Sequence, residues 1–376
     1  MYFTCSLDTL RKTVGIVEKA ISSRSSSPIL ENILIQVTDS GIQFRATDLD
    51  IAIDASLPSP DIQTVGSVLV HGKTLSTILS KLNADRVSIQ LDDTGKVAVS
   101  AGSTNYELLN GLVDDYPDSP TLSSVSEWSI PANLLLHLIK QTIFSVSFDE
   151  TKQFLNGALV QSDGQSITFV ATDGFRLSVR EDTLPIAATP FSTIIPYRGL
   201  NELGKILNLT DMNQIVYIKV GDSQIQINGT GFSLNSRLIK AQFPDYRQAI
   251  PAHSTVHYVG SRTAILTAFE RSSIIASSSK NIIKLSFEGS QMVVTASAPT
   301  LGMFKESLDV RCVMGEGVSV MSFNVKLLLD GLRNLESDDV HFQFNQGVSP
   351  CVLRPSSSDR FTYVVMPIRT SDLTTA

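Results

Sequence analysis

The chain repeats itself at the scale of a whole domain. Residues 43–48 read QFRATD and residues 168–173 read TFVATD, an offset of 125 positions. At the same offset VLVHGKTLSTILSKLN (68–83) lies over TIIPYRGLNELGKILN (193–208), and MSFNVKLLLDGLRNLE (321–336) follows about 128 residues later. FTCSLDTLRKTV (3–14), WSIPANLLLHLI (128–139) and HYVGSRTAILTAF (257–269) make a second set of three. A period near 125 residues is far too long for a solenoid and fits a domain. Three copies fill the 376 residues as 1–122, 127–250 and 251–376, with the proline-marked VDDYPDSP (113–120) at the first join.

Each copy reads as strand, helix, a run of strands, helix, more strands. In the first, Leu7, Leu10, Val14, Val17 and Ile21 recur at the spacing of an amphipathic helix, with Ser6 as N-cap. The serine-rich SSRSSSP (22–28) is a loop, because proline bars helix continuation. Period-two segments then mark strands: NILIQV, GIQFRAT, DIAIDASL, VSIQL, KVAVS and TNYELL. The six predicted helices are 8–22, 72–82, 131–145, 197–207, 261–273 and 324–334, the third with Pro131 in its first turn. The fold class is α+β: three similar domains with helices on one face of antiparallel sheets.

The stretch ATDGFRLS (171–178) predicts a hairpin: a strand from Ser166, a turn at Thr172-Asp173-Gly174, and a second strand from Phe175. Glycine accepts positive φ, and aspartate closes such a turn with its side chain.

Little in the chain points to catalysis. HExxH, GxSxG and CxxC are absent, and acidic pairs such as Asp92-Asp93, Asp114-Asp115 and Asp338-Asp339 fall in turns or linkers. GSVLVHGKT (66–74) resembles a phosphate-binding loop, but that loop needs four residues between its glycines and here there are five. VLV suits a strand better than a glycine-rich cradle. An NTPase at Gly72-Lys73-Thr74 is therefore set aside. Cys5, Cys312 and Cys351 have neither pairing nor metal-ligand spacing, and the five histidines are scattered. Buried or incidental thiols in a reducing cytoplasm, no metal and no cofactor are the expectation. No apolar run reaches the length of a membrane span, and MYFTCSLDTL is not a signal peptide.

Charge is segregated. Net charge is −7, yet each of the six predicted helices is net positive, together +7, which leaves −14 on the rest. Arg11, Lys12, Lys73, Lys81, Lys140, Arg198, Lys205, Arg271, Lys326 and Arg333 would form one modestly basic surface if the helices faced one way. Spread, weak positive charge suits sequence-independent contact with a phosphate backbone.

Taken together, ATDGFRLS (171–178), FPDYRQAIP (243–251), YVVMPIR (363–369), FLNG (154–157) and FNVKLLLD (323–330), in order on a threefold repeat, resemble the bacterial DNA polymerase III β subunits, the sliding clamps. The resemblance spans the chain. It implies a non-enzymatic accessory subunit: a head-to-tail homodimer closed into a ring, helices inside and sheets outside, with double-stranded DNA passing through unread. Partners implied are the DNA polymerase III α subunit, the clamp loader complex and other clamp-binding-motif proteins (repair polymerases, mismatch repair proteins, ligase).

By matching position, the implied peptide pocket is Leu155, Thr172, Gly174, Phe175, Arg176, Leu177, Pro244, Val348, Val364, Met366, Pro367 and Ile368, an apolar slot with Arg176 as a rim donor. Implied DNA contacts are Arg24, Lys73, Phe154 and Arg198. The implied dimer seam sets Tyr106 and Leu108 against Ile274 and Ile275 of a second copy. The chain departs from the family's habit at Phe175 (often His), Gln248, Ala249 and Pro350, and in APTLGMFKES (298–307), which is nearly uncharged where an acidic cluster is frequent. Apolar contact must then contribute more at the seam. The residues leave one alternative open, a monomeric peptide-docking scaffold of the same fold that does not close into a ring.

Overall fold

The computed structural model describes residues 1–21, 27–119, 122, 126–315, 318–347 and 349–369. Arg24 and Val348 lie outside the described residues. Six α-helices occur among them: α1 (Leu7–Val17), α2 (Gly72–Lys81), α3 (Ala132–Lys140), α4 (Tyr197–Leu207), α5 (Arg262–Ala276) and α6 (Val325–Arg333). The strand pairings among the described residues are antiparallel, as between Phe232–Arg237 and Ile51–Leu57.

The helices start within a residue of where the sequence says; α1 and α3 stop well short of their predicted ends, α4 ends as predicted and α5 runs on to Ala276. Ser6 caps α1 by accepting from Thr9 N, but α1 tightens into a 3-10 turn at Glu18–Ala20 instead of running to residue 22. Pro131 is the last residue of a strand, Ser126–Pro131, and α3 begins one residue later. The 131–145 helix ends at Lys140 because Thr142 leaves helical geometry (φ −125°) and its hydroxyl donates to Leu138 O at 2.6 Å.

The chain packs as two compact units. The first comprises Met1–Leu136, Pro185–Pro190 and Arg198–Ile239. It holds a five-stranded sheet, in the order Asp61–Thr64, Tyr2–Ser6, Arg86–Leu91, Lys96–Ala101, Thr104–Leu109, and an eight-stranded sheet. In the eight-stranded sheet Phe232–Arg237 pairs with Ile51–Leu57, which joins strands of the second repeat to strands of the first. α1 and α2 lie side by side, tied by Arg11, whose Nε donates to Leu79 O at 2.7 Å and whose Nη2 donates to Leu82 O. Those carbonyls close α2, where a helix leaves acceptors unpaired. Gly72 opens α2 because a Cβ there would stand 2.1 Å from Ile21 Cδ1. The segment that resembled a phosphate loop is thus a strand, Gly66–His71, running straight into a helix.

The second unit comprises His137–Leu184, Phe191–Tyr197 and Lys240 onward. It holds a nine-stranded sheet and a four-stranded sheet. The nine-stranded sheet joins the second repeat to the third where Arg176–Thr183 pairs with Phe361–Val365. Its core gathers Phe269, Phe287, Phe323, Phe342, Phe344 and Tyr363, each buried ring contributing about 1.5–3 kcal/mol. Gly331 of α6 lets Tyr363 approach: a Cβ would meet its ring at 2.3 Å, and the Tyr363 hydroxyl donates to Leu327 O at 2.7 Å. The middle repeat therefore gives strands to each unit. Sequence repeats and packing units have different boundaries, because hydrogen-bonded sheets run across the joins between repeats.

Candidate docking surfaces for peptide, DNA and a second copy

The hairpin at 172–176 is built as the sequence predicts. Strands Ser166–Thr172 and Arg176–Thr183 flank it, and Gly174 sits at φ +92°. Thr172 Oγ1 donates to Arg176 O and accepts from Gly174 N at 3.1 Å. The Asp173 carboxylate accepts from Phe175 N at 2.9 Å and Arg176 N at 3.0 Å. Met366 N donates to Phe175 O at 2.9 Å, so the segment after the last strand is clipped to the turn.

Arg176 does something other than the sequence reading gave it. Expected at the rim, its side chain is only 11% exposed. Nε reaches Asp173 at 3.0 Å, Nη1 reaches Asp330 of α6 at 2.6 Å, and the guanidinium lies 5.7 Å from the Phe144 ring centroid. Burial opposes its charge, but Tyr363 and the two carboxylates outweigh that and hold its pKa above the usual arginine value. Burial likewise pushes the Tyr363 phenol upward. Arg176 thus fastens the turn to α6. Asp173 was expected to close the turn but not to pair with Arg176, and Asp330 was not expected to pair with it, since it lies 154 residues away.

Around this frame the remaining predicted residues fall into two groups. Leu155, Leu177 and Val364 are buried, while Gly174, Phe175, Pro244 and Met366 are exposed; Pro367 and Ile368 are half-buried. Leu177 pairs across strands with Val364, and Val364 with Val352. These three form one apolar row across three strands. Val352 was missed, although its place two residues after Pro350 in an apolar run was a usable signal. Phe175, 67% exposed, presents a bare phenyl ring beside this row's turn.

The basic helix residues divide by type. The arginines are held: Arg11 as above, Arg198 by the Asp48 carboxylate and Ala20 O, Arg271 by Glu306, and Arg333 by Glu270. Lys205 pairs with Glu202. Lys12, Lys73, Lys81, Lys140 and Lys326 are exposed and make no ion pair among the described residues. Of the expected DNA contacts, Lys73 is therefore open to solvent, Arg198 anchors the start of α4 to the turn after Thr47, and Phe154 is half-buried in the 3-10 segment Glu150–Leu155.

Each unit also has an open sheet edge. In the first, Thr104–Leu109 is the outermost strand; Tyr106 and Leu109 are exposed and Leu108 half-buried. In the second, Gly302–Asp309 is outermost, with Met303 73% exposed. On α5 of the same unit Ile274 is exposed and Ile275 half-buried. The charge that this edge strand carries at Glu306 is spent on Arg271. Leu109 and Met303 were not predicted; alternation along each edge strand was the available clue.

Residues 1–121, 129–245 and 247–369 match, in turn, the N-terminal, central and C-terminal domains of the DNA polymerase III beta subunit. The chain belongs to the DNA polymerase III β subunit family. The Beta sliding clamp of Bacillus subtilis (strain 168) is 30% identical over 98% of this chain and 100% of that protein. That of Synechocystis sp. is 29% identical over 98% and 99%. Among solved structures, the Bacillus subtilis sliding clamp superposes with a TM-score of 0.92 at 28% identity, covering 98% of this chain and 99% of that one. The Pseudomonas aeruginosa clamp gives 0.91 at 27% identity, covering 98% and 100%. The β subunit is an accessory, non-catalytic member of the polymerase. In this member the thiols of Cys5 and Cys351 are buried and that of Cys5 is pushed up to about 11, mainly by burial. No helix among the described residues is long and apolar enough to cross a membrane.

Proposed function

We propose that this chain is a processivity clamp of the cytoplasmic replication machinery. Two copies join through their open edges, Thr104–Leu109 of one against Gly302–Asp309 of the other, and so encircle duplex DNA. The threefold match to β-subunit domains along the whole chain carries this reading. The separation of roles among the basic residues supports it. Locked arginines stabilise the helices, and five exposed lysines offer diffuse charge that contacts phosphate without reading bases. A ring tethers by topology, so weak contacts are an advantage: they let the protein slide.

The exposed apolar side chains of Phe175 and Met366, backed by the buried Leu177 and Val364, then receive the short apolar motif of the DNA polymerase III α subunit, the clamp loader and repair partners. Phe175 in place of a polar side chain favours motifs ending in aliphatic or aromatic residues. Apolar groups at both edges, with Glu306 already paired, make the seam depend on buried hydrophobic surface rather than salt bridges. Primer extension with the cognate polymerase and loader tests the reading. Product length should rise by an order of magnitude or more when the chain is added, and an unchanged length would count against it. Light scattering should give twice the chain mass at micromolar concentration; a monomer would favour a scaffold that does not close.

A further inference from the structure

The turn at 172–176 has a twin in the first unit. Thr47 Oγ1 donates to Ile51 O at 2.9 Å and accepts from Leu49 N at 3.0 Å; Asp48 accepts from Asp50 N at 3.1 Å and Ile51 N at 3.0 Å. Arg237 N donates to Asp50 O at 2.9 Å, the counterpart of the clip from Met366 to Phe175. By the 125-residue offset, Asp50 stands where the other turn has Phe175, and by that shared clip Arg237 stands where the other has Met366. A cavity of about 160 Å³ opens beside this turn, lined by Leu49, Ile51, Pro117 and the charged Asp50, Asp118 and Arg237. It holds the volume of about five waters, or one aliphatic side chain.

The charges at its mouth have a sign. Asp48 is taken by Arg198 and Asp54 by Arg45. Asp50 keeps only a solvent-exposed contact of 3.4 Å with Arg237, and Asp118 makes no ion pair among the described residues. Two accessible carboxylates against one guanidinium favour a cation. We infer that this corner is a second docking site, for a protein segment that presents a leucine-sized side chain followed by lysine or arginine. It rests on reading the Phe175 corner as a peptide groove, since the two share one backbone frame. Partners with two such segments would then hold one subunit at both corners.

The test is a methyl NMR titration of the full chain with acetyl-Leu-Lys-amide and acetyl-Leu-Glu-amide. Leu49 and Ile51 methyls report this corner; Leu177 and Val364 report the other. The lysine probe should shift Leu49 and Ile51 saturably, and the glutamate probe should bind at least tenfold more weakly. Asp50→Asn with Asp118→Asn should erase that preference, and Arg237→Gln should tighten the lysine probe severalfold. No shift at Leu49 and Ile51, or equal response to both probes, overturns the proposal. An apolar clamp-binding peptide that fails to shift Leu177 and Val364 would sink the groove reading instead, on separate signals.

Discussion

The two corners, 47–51 and 172–176, share a frame and differ in what they show to solvent. In both, a threonine hydroxyl and an aspartate carboxylate replace the backbone bonds that a three-residue turn cannot make. In the second unit the frame carries Phe175 and Met366, with Arg176 locked beneath it to Asp330. In the first it carries Asp50 and Arg237, with buried Ile51 beneath. The geometry is a property of the repeat, while the ligand preference proposed for each corner rests on three or four side chains. A comparison of this kind can be broken by exchanging those side chains.

The largest effect should come from the exchange itself. Phe175→Asp with Met366→Arg removes two apolar contacts worth about 1.5 kcal/mol or more each, so an apolar clamp-binding peptide should lose about 100-fold in affinity by fluorescence anisotropy. The reverse exchange, Asp50→Phe with Arg237→Met, should give the first corner measurable affinity for the same peptide. If the first change leaves affinity intact, these side chains do not set the preference.

Next come the two aspartates that close the turns. Asp173→Ala should cost about 2–3 kcal/mol in chemical denaturation, from two backbone bonds and a mostly buried arginine left with one partner. Asp48→Ala should cost less, about 1–2 kcal/mol, because its partner Arg198 is more exposed and can rehydrate. Equal costs would mean that the burial of Arg176 is not what distinguishes the two frames.

A pH effect belongs to the first corner. Tyr116 accepts from Thr47 N at 3.2 Å and donates to Asn32 O at 3.1 Å. Burial, the main cause, pushes its phenol up from 10.0 to about 12. The unfolded chain then releases that proton first as pH rises, so stability is present below pH 10.0 and falls toward about 12. Tyr116→Phe should flatten part of that alkaline slope, at a cost of about 1 kcal/mol at neutral pH. An unchanged slope would assign it to other tyrosines.

The smallest effect concerns the backbone. Gly174 at φ +92° and Leu49 at φ +78° hold equivalent places. Gly174→Leu should destabilise by about 1 kcal/mol, whereas Leu49→Gly should shift stability by less than that, because relieved strain offsets a freer unfolded chain. Thermal unfolding of the two variants beside the parent chain checks the order.

Much of this was legible in the chain. The Leu7, Leu10, Val14 stripe, the Asp-Gly turn and the 125-residue offset are local patterns, and local patterns survive in sequence. Ion-pair partners do not: Arg198 finds Asp48 across 150 positions, and nothing near either residue announces it. For that reason arginines and lysines looked alike until the fold sorted them. Leu49 at a positive φ was likewise hidden, because leucine gives no warning of a left-handed turn. Val352 and Leu109 were readable in principle, as members of strands whose neighbours had been named.

Topological tethering is the central claim, and loading the chain onto nicked circular DNA and then cutting the circle tests it most directly. The protein should stay on the closed circle through gel filtration and leave once the DNA is linear. Equal retention on both forms would mean that it holds DNA by affinity, and encirclement would be wrong.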